Sequence, residues 1–222
     1  QGTQGKRVRY SIEKFASYDN YHLVPMRLRI EALDEADFVL QCGLDGDIWS
    51  LNGEHFNHYE VFTEDNILGI ETRTNEFGIQ INVAVALALS GVTPTKIAII
   101  KENRRILKEF HFKLNPGDQV IVEQMMVVCH SNDVHDPRNT SVLEVNHASQ
   151  QGFNNLYAVH QKKWDQIWSN CDIKIKGDVE AQTLVRFNIY QATIATPTHA
   201  KLPIGARGLS CQVYQGAAFW DQ

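Results

Sequence analysis

Gln119-Val120-Ile121-Val122-Glu123-Gln124-Met125-Met126-Val127-Val128 is followed, across the polar loop from Ser131 to Thr140, by a segment in which Tyr157, His160, Trp164, Ile167, Trp168 and Cys171 recur three and four residues apart. The first stretch is short, rich in β-branched residues and bounded by turn residues, which is the pattern of a strand. The second places two tryptophans on one face of a helix whose apolar pattern starts near Val142, and this stripe is expected to be core. A switch from period two to period 3.6 at a single loop predicts a β-rich part followed by a helical part.

Upstream of the switch the same strand pattern recurs in Arg7 to Ile12, His22 to Ile30, Phe38 to Gln41, Ile67 to Thr72, Ile79 to Val85, Ile97 to Lys101 and Ile106 to Leu114. Leu44-Asp45-Gly46-Asp47, Leu51-Asn52-Gly53, Asn75-Glu76-Phe77-Gly78 and Asn115-Pro116-Gly117-Asp118 separate them with turn chemistry. Many strands at this spacing, with no helical period between them, predict an antiparallel β-sandwich. Arg7 reads as the middle of a sheet, so the sandwich is expected to be partial. Downstream, Asp178 is the expected N-cap of a second helix with Ala181, Leu184, Val185, Ile189 and Ala192 on its buried side, ending at Thr196-Pro197. The glycines and prolines from Leu202 onward suit a loop lining a cleft.

Composition narrows the function. The 222 residues carry 21 Lys and Arg against 26 Asp and Glu, a net charge of −5 without long charged blocks, which argues against nucleic acid or an anionic membrane as partner. The longest apolar run, Val83 to Leu89, is far too short to span a bilayer. With no signal-peptide pattern either, the expectation is a cytoplasmic protein. Cys42, Cys129, Cys171 and Cys211 form no CxxC pair, so buried free thiols are expected instead of a zinc ribbon or a disulfide framework. The absence of an initiator Met and the abrupt end on Phe219-Trp220-Asp221-Gln222 suggest a fragment.

Few residues advertise chemistry. The run Cys129-His130-Ser131-Asn132-Asp133-Val134-His135-Asp136 is dense in potential ligands but has no metal-motif spacing, so turns and caps are expected there and no metal is assigned. His55-Phe56-Asn57-His58-Tyr59-Glu60 is expected to be a surface loop. There is no GxSxG, P-loop or GxGxxG. What remains is the tail, where Trp220 beside Asp221 offers an indole face for a pyranose ring and a carboxylate for adjacent hydroxyls. A packed Trp with a capping Asp is the competing reading.

That tail, Ile204-Gly205-Ala206-Arg207-Gly208-Leu209 through Tyr214, Gly216 and Phe219-Trp220-Asp221, resembles the signature "GA(K/R)GL…Y.GH.FWDTE" of glycoside hydrolase family 65. His160, Trp164, Trp168, Asp172-Ile173-Lys174-Ile175-Lys176-Gly177-Asp178, Gln182 and Arg186-Phe187 are similar to the family's linker and first barrel helix. Phe15-Ala16-Ser17-Tyr18-Asp19-Asn20-Tyr21-His22-Leu23 resembles its "RF.S..D.HL" strand, and Cys42-Gly43-Leu44-Asp45-Gly46 a further motif, all in family order.

The resemblance implies a partial N-terminal β-sandwich over 1–135, a helical linker over 136–176 and the start of an (α/α)6 catalytic barrel over 177–222. It implies inverting cleavage of an α-glucosidic disaccharide or oligosaccharide, by phosphorolysis to β-glucose 1-phosphate or, as the alternative, by hydrolysis. A non-catalytic carbohydrate-binding sandwich is the reading from another class. Substrate-binding roles fall on Trp220, Asp221, Phe219, Arg207 and Tyr214, with no catalytic residue in this chain because the family's general acid lies further along the barrel. No cofactor is implied, inorganic phosphate being the co-substrate of a phosphorylase. The expected partners are the sugar, the remaining segments of the same enzyme and a second copy in a homodimer. Three departures bear on specificity: Cys211-Gln212 replaces Gly-Glu, Ala217 replaces His, and Gln222 replaces Thr.

Overall fold

The computed structural model describes residues 5–47 and 53–198. The chain divides into two compact units, residues 1–160 and residues from 161 onward, of which 161–198 are described in the second. In the first unit nine strands form two antiparallel sheets: β1 (Val8–Lys14), β2 (Leu23–Ala32), β3 (Ala36–Asp45), β4 (Phe56–Glu64), β5 (Ile67–Thr74), β6 (Gln80–Gly91), β7 (Lys96–Lys101), β8 (Arg105–Leu114) and β9 (Gln119–His130). A six-stranded sheet runs β1-β2-β9-β6-β5-β4 and a three-stranded sheet β3-β8-β7. Helix α1 (Pro137–Cys171) follows, and the second unit carries α2 (Val179–Ala195).

The large sheet is covered on both faces. Ile30, Phe110, Phe112, Val120 and Val122 form one buried cluster between the sheets, and Leu68, Val85 and Ile106 belong to another. On the opposite face Leu23, Ala84, Ala86, Met125, Val127 and Cys129 pack with Val142, Val145, Ala148, Phe153 and Leu156 of α1. This explains β9, whose first half buries Val120 and Val122 against the small sheet and whose second half buries Met125, Val127 and Cys129 against the helix. It also explains β6, where Ala84, Val85 and Ala86 are all buried, because a strand covered on both faces loses its alternation. At Gly43 of β3 an added Cβ would lie 2.2 Å from the Ile106 carbonyl oxygen, so only glycine lets β8 approach this closely.

The antiparallel sandwich and the change to helix at the Ser131 to Thr140 loop are as expected, and no strand occurs between Leu156 and Ala192. Six expectations need correction. His55 to Glu60 is not a surface loop: Phe56–Glu64 is edge strand β4, irregular between Asn57 and Glu60, and its polar residues face water while Val61 and Phe62 are buried. Residues Phe15 to His22 are turn and loop, and the strand begins only at Leu23. Arg7 does not mark the middle of a sheet, since β1 is an edge strand paired with β2 alone and exposed along its length. Helix α1 starts at Pro137, ahead of Val142, because Asp136 Oδ1 accepts the Asn139 N–H at 3.0 Å and proline suits the first helical position.

The Tyr157 stripe is not core. Tyr157 is 47% exposed and His160, Trp164, Ile167, Trp168 and Cys171 are half-buried, while Phe153 and Leu156 carry the packing. Gly152, with φ 72° and ψ 161°, breaks the helix and re-phases the faces on either side. Finally, no residue of α2 is buried: Leu184 is 55% exposed and Ala192 is exposed, while Ala181, Val185 and Ile189 are half-buried. In the described part of its unit α2 meets the end of α1, through Trp164 and Tyr190 at 5.4 Å between rings, and the short segment that joins the two helices.

Candidate functional site

The loop Phe15 to His22 is shaped by its own polar side chains. Ser17 Oγ accepts the Asn20 N–H at 3.1 Å, and Asn20 Oδ1 accepts the His22 N–H at 2.9 Å. The Ser17 N–H donates to the Leu23 carbonyl at 2.9 Å, closing the loop onto β2. Phe15 packs edge-on against Phe153 and Tyr157. The Tyr18 N–H donates to His160 Nδ1 at 3.1 Å, and partial burial holds the His160 imidazole below its ordinary range.

The loop thereby delivers His22 between two carboxylates. Glu144 of α1 lies 3.1 and 3.2 Å from Nδ1 through its two oxygens, Asp133 lies 3.1 Å from Nε2, and Asn20 Nδ2 donates to Glu144 at 3.0 Å. His130 is 3.5 Å from Asp133. Cys129, fully buried beside them, has its thiol pushed up to about 12, chiefly by burial and then by the charges of Glu144 and Asp133. A cavity of about 210 Å³ opens next to Glu144, walled by Ser17, Asn20, His147 and Gln151 over a floor that includes Leu23 and Leu156. Both carboxylates are engaged with one imidazole, so this cluster is not a free acid–base pair for glycoside cleavage.

A second polar knot sits under the kink of α1. Arg27 of β2, 7% exposed in its side chain, pairs with Glu123 of β9 at 3.1 Å and stacks over Phe153 at 4.1 Å. Glu123 in turn accepts the Phe153 N–H at 3.1 Å, capping the helix that restarts after Gly152.

In the second unit the motif residues hold a helical hairpin. Asp178 caps α2 through the Ala181 N–H at 2.9 Å, as expected. Gln182 accepts from Ile175 N–H at 2.7 Å and donates to the Ile173 carbonyl at 2.8 Å, and Arg186 forks onto Asp172 at 2.8 and 2.7 Å. The guanidinium holds the Asp172 carboxyl below its usual range. Phe219, Trp220, Asp221, Arg207 and Tyr214, the expected sugar-binding residues, lie outside the described residues, as does the turn residue pair Leu51-Asn52. Among the described residues, then, these motifs are scaffold.

Comparison with known proteins identifies the family. The model of the glycosyl hydrolase family 65 N-terminal domain matches residues 1–167. The chain belongs to glycoside hydrolase family 65. Among its relatives is 1,2-alpha-glucosylglycerol phosphorylase of Bacillus selenitireducens, 38% identical over 210 residues, covering 95% of this chain and 27% of that protein. Another is nigerose phosphorylase of Lachnoclostridium phytofermentans, 28% identical over 94% of this chain and 30% of the relative. The fold is shared with a solved structure assigned as a kojibiose phosphorylase from the human microbiome, with a TM-score of 0.87 at 18% identity over 99% of this chain and 29% of that one. This family-65 chain therefore spans between a quarter and a third of the length of these relatives. No helix among its described residues is long and apolar enough to cross a membrane.

Sequence reasoning missed the His22–Glu144 and Arg27–Glu123 contacts. His22 stood in a quoted motif, but nothing in the local sequence joins residues 96 to 122 positions apart. The turn-and-cap reading of the run ending at Asp136 holds for Asp136 itself.

Proposed function

We propose that the protein to which this chain belongs is an inverting α-glucoside phosphorylase that releases β-glucose 1-phosphate. The observation that carries this is the family match over residues 1–167 together with relatives named as phosphorylases across nearly the whole chain. In such a reaction a carboxylic acid protonates the leaving oxygen while phosphate attacks the opposite face of an oxocarbenium-like centre. The described residues supply the scaffold: a sandwich, and a linker helix leading to a hairpin locked by Asp172, Asp178, Gln182 and Arg186. Trp220 and Asp221 hold the glucose, with Phe219, Arg207 and Tyr214 around them. In this reading the enzyme is a cytoplasmic homodimer and needs no catalytic cofactor, phosphate being its co-substrate.

The test is to express the full open reading frame and incubate it with glucosylglycerol, kojibiose, nigerose, maltose or trehalose. The relative at 38% identity puts glucosylglycerol first. Phosphate-dependent release of β-glucose 1-phosphate is the expected result; glucose released without phosphate would make the protein a hydrolase, and no turnover would leave a carbohydrate-binding scaffold. Asp221→Ala should lower kcat/KM by about 1.5–3 kcal/mol, the worth of charged hydrogen bonds. An unchanged kcat/KM in a folded variant removes Asp221 from the sugar site.

A further inference from the structure

We propose that His22, Cys129 and Glu144 are the ligands of a structural zinc site that ties the Phe15 to His22 loop and helix α1 to strand β9. Nitrogen, sulfur and oxygen donors of the three residues lie within 4.8 Å of one another, although they come from three separate segments. Zinc bonds of about 2.0–2.3 Å in a tetrahedron set neighbouring donors roughly 3.3–3.6 Å apart. The 3.1 Å between His22 Nδ1 and Glu144 is already close to that edge. A thiol beside an imidazole also discriminates against magnesium and calcium, which take oxygen ligands.

The second carboxylate strengthens the case. Asp133 sits 3.1 Å from His22 Nε2, behind the nitrogen that does not face Glu144. A carboxylate in that place is the usual support of a metal-bound histidine.

Sulfur binds a metal as thiolate, so zinc uptake displaces the Cys129 proton.

A second, independent observation lies on the strand beside Cys129. Asn82 pairs with Cys129 across β6 and β9 and is fully buried; its Oδ1 accepts from Ser141 Oγ at 2.6 Å, while Nδ2 has no partner. A metal-bound thiolate on the neighbouring strand would be a stronger acceptor for such an N–H than a protonated thiol. The cavity beside Glu144 brings solvent to one of the three ligands.

The experiment uses the protein expressed from its full open reading frame, chelator-stripped, dialysed against zinc or cobalt(II) and analysed for metal content and absorption. One metal per chain and a thiolate-to-cobalt charge-transfer band are expected, with proton release on zinc addition in weak buffer. Cys129→Ser should lose the band, and His22→Gln, in the partly exposed loop, should weaken zinc at least tenfold. Cys171→Ser and His55→Gln should leave both unchanged. A folded chain that retains no metal, or a Cys129→Ser chain that binds zinc as tightly as the parent, overturns the site.

Discussion

Replacing Arg27 by Met keeps most of the side-chain stem but removes the charge that faces Glu123 from β2. The guanidinium is 7% exposed, pairs with Glu123 at 3.1 Å, donates to Asn154 and lies 4.1 Å over the Phe153 ring. Breaking a buried ion pair costs about 3–5 kcal/mol because the remaining charge is left uncompensated. Glu123 is 26% exposed and keeps the Phe153 N–H, so it can recover part of its solvation and the lower end, about 3 kcal/mol, applies. For a chain of this length that is a fall in Tm of roughly 6–12 °C, read by differential scanning calorimetry or near-ultraviolet circular dichroism. Arg9→Ala breaks an exposed pair with Glu31, Arg9 being 69% exposed, and should fall within the small range of surface pairs. An Arg27→Met chain melting within 2–3 °C of the parent, about 1 kcal/mol at this size, would show that the knot under the kink is not a stabilising lock.

Other outcomes follow from local geometry. Gly43→Ala forces a Cβ onto the Ile106 carbonyl and should destabilise by about 3 kcal/mol, visible as a lower urea midpoint at unchanged m-value. Asp178→Ala removes the cap of α2 and should cost about 1 kcal/mol, with faster amide exchange confined to the first turn of that helix. Because burial lowers the folded-state affinity of His160 for a proton, its contribution is present above the unfolded value near 6.5 and is lost as pH falls from there through the lower folded-state value; His160→Gln should flatten the urea-midpoint profile in that window. Cys42, whose thiol burial raises to about 11, should resist alkylation at pH 8 in the folded chain and react on denaturation.

The strands that bury one face or two were legible because burial writes itself into apolar pattern, as in Gln119 to Val128. Edge strand β4 was hidden for the converse reason. Only Val61 and Phe62 are buried, and polar residues on a solvated edge resemble a loop. The stripe of α1 was misread as core because three- and four-residue spacing marks an apolar face but not what covers it, and the buried residues of the helix end at Leu156. The caps at Asp136 and Asp178 are local chemistry, although only the second was placed at its helix start. Neither the Arg27–Glu123 lock nor the gathering of His22, Cys129 and Glu144 has any local signal, since each depends on which strands become neighbours. The collinear family motifs identified the scaffold more completely than periodicity did, yet in the described residues those motifs prove to be hairpin latches and loop ties.

The position of β9 has a consequence for a nascent chain. Among the described residues it is the last strand in sequence, but it lies between β2 and β6, joining Leu23 to Val127 and Ala84 to Val127 across the middle of the large sheet. During synthesis the β1–β2 hairpin and the β4–β5–β6 meander can each form first, but their facing edges stay open until residues 119–130 leave the ribosome. A pause in synthesis that delays the emergence of residues 119–130 would hold two unpaired edges open at once, the situation that recruits chaperones and seeds intermolecular pairing.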